Sequence, residues 1–161
     1  MRILLIDDEE MLVRTIKLGW PDPEDEIVSA GSYAEVQQII FSNKLADMDC
    51  VILDLQLPDT SGANILSEIR KLTTVPVIML SAWGNTQYRA ELIGEGADDY
   101  VMKPVGIVEL HARARRLTAR KAQQLQNQVE YEIGVVRFDS VRREMSSDQG
   151  LEPLTSAESQ I

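Results

Sequence analysis

Short apolar runs alternate with amphipathic stretches over the first 120 residues of the chain. Each run has the length and the β-branched content of a buried strand, and each ends abruptly at polar or small residues. The runs predict five strands, which cover Arg2–Ile6, Glu26–Ala30, Cys50–Leu53, Pro76–Ser81 and Tyr100–Met102. Asp54 directly follows the third run, so we expect its carboxylate at a junction between strand and loop, exposed at the carboxyl edge of a sheet.

Between the strands, apolar residues recur at helical spacing. Ser32 and Glu35 have the spacing of a capping box, which predicts a helix that starts near Tyr33. The other predicted helices cover residues 11–19, 65–72 and 87–95, and a long helix begins near Val108. Strands that alternate with helices are typical of a parallel sheet with helices on both faces.

The pattern changes beyond residue 121. Residues 122–130 are rich in Gln and contain no Gly or Pro, which predicts a helical linker. Residues 132–138 and 143–146 alternate with a period of two, and a turn at 147–150 indicates an antiparallel hairpin. A capping box at Thr155–Glu158 predicts a helix that starts near Ser156. We therefore expect domains at 1–121 and 131–161, of which the second is incomplete.

Composition narrows the class of protein. The chain has 161 residues, of which 44% are hydrophobic, as a folded globular protein requires. The first 110 residues carry 19 acidic and 8 basic side chains, so they lack the basic surface that attracts nucleic acid. The lone Cys50 is expected to be a core residue. We see no leader and no apolar run long enough to span a bilayer, and we expect a soluble cytoplasmic protein without membrane contacts.

Polar side chains follow four of the five predicted strands: Asp7, Asp8, Asp54, Ser81 and Lys103. The carboxyl ends of parallel strands share one crevice, so we expect these groups to converge there. Three carboxylates would repel one another unless a cation lies between them, and Mg²⁺ is a hard ion that prefers oxygen ligands. With an ammonium and a hydroxyl nearby, the site suits a phosphoryl group, with Asp54 as the attacking nucleophile.

Each of these residues also has an ordinary structural interpretation. Asp7 could cap the first helix, Asp54 could solvate a loop, Ser81 could cap the next segment, and Lys103 could be a surface charge. Their joint occurrence at four strand ends favours the functional interpretation.

The chain up to about residue 121 resembles the receiver domain of two-component response regulators. The resemblance is carried by four motifs: Leu5–Glu9, Asp54–Gly62, Leu80–Ala82 and Gly96–Pro104. It implies a flavodoxin-like (βα)5 fold with the strand order 2-1-3-4-5.

The resemblance also implies roles for individual residues. Asp54 would accept a phosphoryl group from a histidine kinase, and Lys103 would pair with the phosphoryl oxygens. Ser81 would move toward them, and Tyr100 would turn inward. Mg²⁺ would be bound by Asp8, Asp54 and the backbone carbonyl of Gln56, with Asp7 holding a metal-bound water, and the Lys103–Pro104 bond would be cis.

Residues 131–161 resemble the start of the winged-helix DNA-binding domain of the OmpR/PhoB subfamily. That resemblance implies a homodimer on phosphorylation and DNA binding only through the full-length effector domain. The dimer face would be built from the fourth helix, the fifth strand and the fifth helix. Its expected ion pairs are Arg89 with Glu109, Asp99 with Arg113, and Asp98 with Arg120.

Two positions depart from the usual receiver pattern. Val105 replaces an aromatic residue after Lys103–Pro104, and Trp83 places a bulky ring two residues beyond Ser81. Either that ring restricts attacking water and slows the loss of the phosphoryl group, or it is simply a partly exposed aromatic residue of the loop.

Three functions fit the sequence. The leading one is a phosphorylation-controlled transcriptional switch, which is not an enzyme beyond slow autophosphorylation and autodephosphorylation. The alternatives are a phosphorylation-independent receiver that serves as an interaction module, and an aspartyl-phosphate hydrolase. A hydrolase usually has a second acid two residues after the nucleophile, where this chain has Gln56.

Overall fold

The computed structural model describes residues 1–82, 93–132, 137–139, 144–147 and 150–153, with side chains up to residue 124. The chain forms two compact units, Met1–Ala119 and Arg120–Ile161.

Five parallel strands form the sheet of the first unit. In chain order they are β1 (Arg2–Ile6), β2 (Glu26–Ala30), β3 (Cys50–Asp54), β4 (Val77–Ser81) and β5 (Asp99–Met102). Their order across the sheet is β2-β1-β3-β4-β5, and every neighbouring pair is parallel. This is the flavodoxin-like order that the resemblance implied, and it brings the carboxyl ends of β1 and β3 side by side.

The described helices lie between the strands. They are α1 (Glu10–Gly19), α2 (Tyr33–Phe41), α3 (Gly62–Leu72), a short 3₁₀ helix (Lys44–Asp47) and a long helix (Ile107–Glu132). Ser32 caps α2 by accepting a hydrogen bond from the Glu35 amide, as the capping box predicted. Most of the predicted helix at 87–95 lies outside the described residues.

Alternate residues of each central strand enter two separate cores. In β1, Leu4 and Ile6 pack with α2 and α3, whereas Ile3 and Leu5 pack with α1 and the long helix. All four side chains are fully buried. Burial of an aliphatic side chain of this size stabilises the fold by about 1.5–3 kcal/mol, so the two cores fix the sheet that positions the site.

The second unit contains an antiparallel sheet of three strands, which are β6 (Arg137–Asp139), β7 (Glu144–Ser147) and β8 (Gly150–Pro153). The antiparallel pairing was predicted. The start of its first strand at Glu132 was wrong, because Glu132 still belongs to the long helix. The predicted helix near Ser156 lies outside the described residues.

In the described part of the chain, no helix combines the length and the apolar character that crossing a bilayer requires.

Candidate functional site

The residues that follow the strands lie at the carboxyl edge of the sheet. Asp7 and Asp8 follow β1, while Asp54 and Ser81 are the last residues of β3 and β4. Lys103 follows β5, and its amide donates to the Ser81 carbonyl oxygen at 2.8 Å. The sequence was wrong about the exposure of Asp54, which is only 6% exposed, because the loop after β3 folds back over the strand end.

The Lys103 ammonium joins two of the carboxylates. Its Nζ donates to Asp7 Oδ2 at 2.7 Å and to Asp54 Oδ2 at 2.8 Å. Asp7 and Asp54 are both buried, so these are charge-assisted hydrogen bonds in a partly desolvated place. The Lys103–Pro104 peptide bond is cis, as the resemblance implied.

Burial and pairing act in opposite directions on these charges. Burial raises the pKa of Asp54, and the hydrogen bond and charge of Lys103 offset this effect only in part. Burial lowers the pKa of Lys103, but the hydrogen bonds and charges of Asp54 and Asp7 outweigh it, so the pKa of Lys103 is raised. The lysine is thus held as a cation. Burial disfavours the charged form of Asp54, so a further positive charge nearby would stabilise that form.

The loop after β3 is held tightly against the strand. The Gly62 amide donates to the Leu55 carbonyl oxygen at 2.8 Å, and Gln56 and Ser61 form an isolated bridge. A side chain at Gly62 would place its Cβ 2.2 Å from the Asp54 carbonyl oxygen. The Gln56 amide donates to Asp54 Oδ1 at 3.3 Å, so this loop also orients the carboxylate.

Asp7, Asp8 and Asp54 can each offer one oxygen to a cation, and these three oxygens lie within 4.8 Å of one another. Mg²⁺ prefers oxygen ligands, so these three carboxylates would hold it. Asp8 is exposed while Asp7 and Asp54 are buried, which leaves the site open on one side. The donor set and its spacing therefore fit Mg²⁺.

A cavity of about 540 Å³ opens over these groups. Asp8, Asp54 and Lys103 contribute to its wall, and so does Gln56, whose backbone carbonyl was one of the expected metal ligands. Although Asp54 is largely buried, it therefore lines an open cavity together with the exposed Asp8.

The two expected switch residues are both buried. Ser81 is fully buried at the end of β4, and Tyr100 is 4% exposed in β5, paired with Met79 of β4. Tyr100 is therefore already in an inward position in this structure, and the movement of Ser81 stays a prediction.

The expected dimer-face acids have partners within the chain. Asp99 pairs with Arg113 at 2.8 Å, and Arg113 also pairs with Glu109 at 2.7 Å. Asp98 pairs with Arg70 at 2.7 Å, which the sequence did not predict. The pairs across a dimer stay a prediction, and Arg89 and Trp83 lie outside the described residues. Val105 packs partly buried against the core beside the long helix.

The sequence also did not predict a hydrogen bond that fixes the loop after β3. Asp59 accepts a hydrogen bond from the Tyr33 amide at 2.8 Å, which links this loop to the start of α2. Tyr33 in turn donates its hydroxyl to Glu68 of α3 at 2.7 Å. The only signal in the sequence was the position of Asp59 in the motif after Asp54.

A second group of possible metal donors contains Asp22, Asp25 and His111. Asp25 already pairs with the Met1 ammonium and accepts from the Trp20 indole at 2.9 Å. Donors of the protein thus already serve the most buried carboxylate of this second group.

Comparison with known proteins places this geometry in a family. The response regulator receiver domain family matches residues 3–115. The transcriptional regulatory protein SrrA of Staphylococcus aureus is 34% identical over 118 residues, which are 73% of this chain and 48% of SrrA. The chain thus spans about half the length of the curated relatives that it matches.

Solved structures agree with that match. The receiver domain of the Francisella response regulator 1452 superposes with a TM-score of 0.68 at 30% identity, over 74% of this chain and 98% of that domain. A response regulator receiver domain protein from Clostridium thermocellum gives a TM-score of 0.69 at 33% identity, over 76% of this chain and 98% of that one.

Proposed function

The chain belongs to the response regulator receiver domain family, a family of signalling proteins, and on that premise we propose that it is a phosphorylation-controlled switch. In this proposal Asp54 accepts a phosphoryl group from the phosphohistidine of a histidine kinase. The observation that supports it most is the Lys103 ammonium bridging Asp7 and Asp54 next to the exposed Asp8.

In the transfer step an oxygen of Asp54 attacks phosphorus in line with the phosphorus–nitrogen bond of the donor. A phosphorus–oxygen bond forms, the phosphorus–nitrogen bond breaks, and the leaving imidazole nitrogen takes a proton from solvent. The product is an acyl phosphate on Asp54. Asp7, Asp8, Asp54 and the Gln56 carbonyl would hold Mg²⁺, whose charge stabilises the phosphoryl oxygens.

Residues of the chain itself then respond to the new group. The ammonium of Lys103 leaves Asp54 Oδ2 for a phosphoryl oxygen and stays close to Asp7. The hydroxyl of Ser81 donates to another phosphoryl oxygen, and Tyr100 keeps its inward position. Burial disfavours an Asp54 carboxylate that has no cationic partner. A phosphorylated Asp54 is tolerated better at the same buried position, because a metal ion and Lys103 neutralise its charge.

Phosphorylation of Asp54 is communicated through the surface that contains β5 and the long helix. We propose that this face forms a symmetric homodimer when Asp54 is phosphorylated, with Asp98, Asp99, Glu109, Arg113, Arg120 and Arg89 among its charged residues. Residues 1–121 would be the receiver, 122–130 the linker and 131–161 the first part of a winged-helix domain. The full-length effector domain would bind DNA and regulate transcription, as the printed name of SrrA suggests for that relative.

Beryllofluoride with Mg²⁺ tests this proposal, because it imitates an acyl phosphate on a carboxylate. The wild-type chain should gain about 5–10 °C in Tm at saturating concentrations and should elute as a dimer in size-exclusion chromatography. Asp54→Asn should show neither change. Asp47→Asn, a change to an exposed carboxylate before β3, is the matched control and should behave as wild type.

Two results would contradict the proposal. A wild-type chain without a Tm shift would favour a phosphorylation-independent interaction module. An Asp54→Asn variant that responds like wild type would place the acceptor elsewhere.

A further inference from the structure

Arg70 of α3 donates hydrogen bonds to two separate loops. Its Nε donates to the Gly96 carbonyl oxygen at 2.7 Å, and its Nη1 donates to the Val75 carbonyl oxygen at 2.6 Å. Its Nη2 donates to Asp98 Oδ2 at 2.7 Å. The three nitrogens of one guanidinium thus join the loop before β4 to the turn before β5.

Asp98 is held from a second side. Its Oδ2 also accepts from the Val77 amide at 2.8 Å, and its own amide donates to the Val77 carbonyl oxygen at 2.9 Å. Its side chain remains 41% exposed, so a face of the carboxylate stays at the surface. The arrangement fixes the position of Asp98 without burying its charge.

Gly96 makes room for this arrangement. Its φ is +107°, a conformation that L side chains rarely adopt, and a Cβ there would lie 3.2 Å from Arg70 Nε. Arg70 therefore packs directly over the turn whose carbonyl it binds. The turn leads at once into Asp98 and Asp99, and Asp99 binds Arg113 of the long helix at 2.8 Å.

We propose that Arg70 is a positioning residue for the dimer face, although it lies on α3, outside that face. It holds the turn so that Asp98 lies at a fixed place directly before β5, where its exposed face meets a cation of a second copy of this chain. The inference rests on the proposed function, since it concerns the dimer that phosphorylation forms.

An arginine suits this task better than a lysine. The planar guanidinium presents several donors in fixed directions, whereas an ammonium is a point charge on a flexible stem. Loss of the side chain removes the Arg70 donor from the Gly96 and Val75 carbonyl oxygens and leaves Asp98 Oδ2 with only the Val77 amide. The Asp98 carboxylate is then held from one side only, while the chain keeps its phosphorylation site.

The expected effect is a weaker dimer. An exposed ion pair that is lost changes an affinity by about threefold. A symmetric dimer contains each contact twice, so the dissociation constant should rise by about tenfold in Arg70→Ala. Arg70→Lys should lie between Arg70→Ala and wild type.

The experiment measures the dimer dissociation constant by analytical ultracentrifugation at saturating Mg²⁺ and beryllofluoride, well below Tm. Lys71→Ala is the matched control, because Lys71 is an exposed base on the same helix, and it should leave the constant unchanged. Arg70→Ala combined with Asp98→Ala should weaken the dimer no more than the stronger single change, since both remove the same oriented carboxylate.

Amide hydrogen exchange in the beryllofluoride-free chain gives a second readout. The amides of Val77 and Asp98 should exchange faster in Arg70→Ala, while those of β1 should not change. An Arg70→Ala variant with a lower Tm but an unchanged dimer constant would show a merely structural role and overturn the inference. Additive effects of Arg70→Ala and Asp98→Ala would overturn it as well.

Failure of the proposed function would look different. In that case the wild-type chain would not respond to beryllofluoride at all, and both the proposed function and the inference would be wrong. A wild-type chain that binds beryllofluoride and stays monomeric would overturn the inference while leaving phosphoryl acceptance intact.

Discussion

Replacement of Gly62 by alanine tests how closely α3 must approach the strand that ends in Asp54. The new Cβ would lie 2.2 Å from the Asp54 carbonyl oxygen and 2.8 Å from the Leu55 Cα, and both are backbone atoms that cannot rotate away. Ordinary contact begins at 3.4 Å, so the start of α3 must move by about 1.2 Å. That movement breaks the 2.8 Å hydrogen bond from the Gly62 amide to the Leu55 carbonyl oxygen.

The cost follows from these two effects. Overpacking of this kind destabilises a protein by about 1–3 kcal/mol, and the lost hydrogen bond adds about 1 kcal/mol. The free energy of unfolding of Gly62→Ala should therefore fall by about 2–4 kcal/mol, which lowers Tm by roughly 5–15 °C. Because the same loop carries Gln56, the affinity for Mg²⁺ should fall by about 10- to 100-fold.

Calorimetry with and without Mg²⁺ measures both effects, and Gly94→Ala serves as the control. A Cβ at Gly94 meets nothing within 4 Å, and this helical residue should gain up to about 1 kcal/mol from alanine. Equal Tm and equal Mg²⁺ affinity in the two variants would refute the tight packing of α3 against β3.

Two further predictions concern buried groups. Because burial raises the pKa of Asp54 above its ordinary value of 3.8, its ionisation destabilises the metal-free fold as pH rises through that raised pKa. Asp54→Asn should thus gain in Tm over wild type as pH rises from 3 to 7, and a constant difference would contradict this sign. Burial raises the pKa of Cys50 to about 12, so a thiol reagent at pH 8 should modify Cys50 only after unfolding; rapid modification of the native chain would argue against its buried position.

The pattern of apolar runs was sufficient to place the five strands. Their side chains enter cores on both faces of the sheet, which requires continuous apolar runs that are easy to recognise. The convergence of Asp7, Asp54 and Lys103 followed from the strand ends alone, because parallel strands end at one edge.

The exposure of Asp54 could not be predicted in the same way. It depends on the loop after β3, which folds back through the bridge of Gln56 with Ser61 and the close approach of Gly62. These contacts depend on the backbone geometry of the loop, which the hydrophobic pattern of the sequence does not predict.

Ion pairs were the least predictable feature. The sequence shows which charges lie on the predicted dimer face but not whether they meet inside one chain or between two. Arg70 illustrates this limit, since it looks like an ordinary polar residue near the end of α3. Its partners Gly96 and Asp98 lie more than 25 residues away, and only the fold brings them together.

Mass spectrometry of the chain after incubation with Mg²⁺ and a small phosphodonor tests directly whether Asp54 is the phosphoryl acceptor. We expect the mass gain of one phosphoryl group, its loss at alkaline pH as is usual for an acyl phosphate, and its assignment to Asp54 after reductive trapping with borohydride. The gain should disappear without Mg²⁺ and in Asp54→Asn. No mass gain in the wild-type chain, or a phosphoryl group on another residue, would contradict the claim that Asp54 is the acceptor.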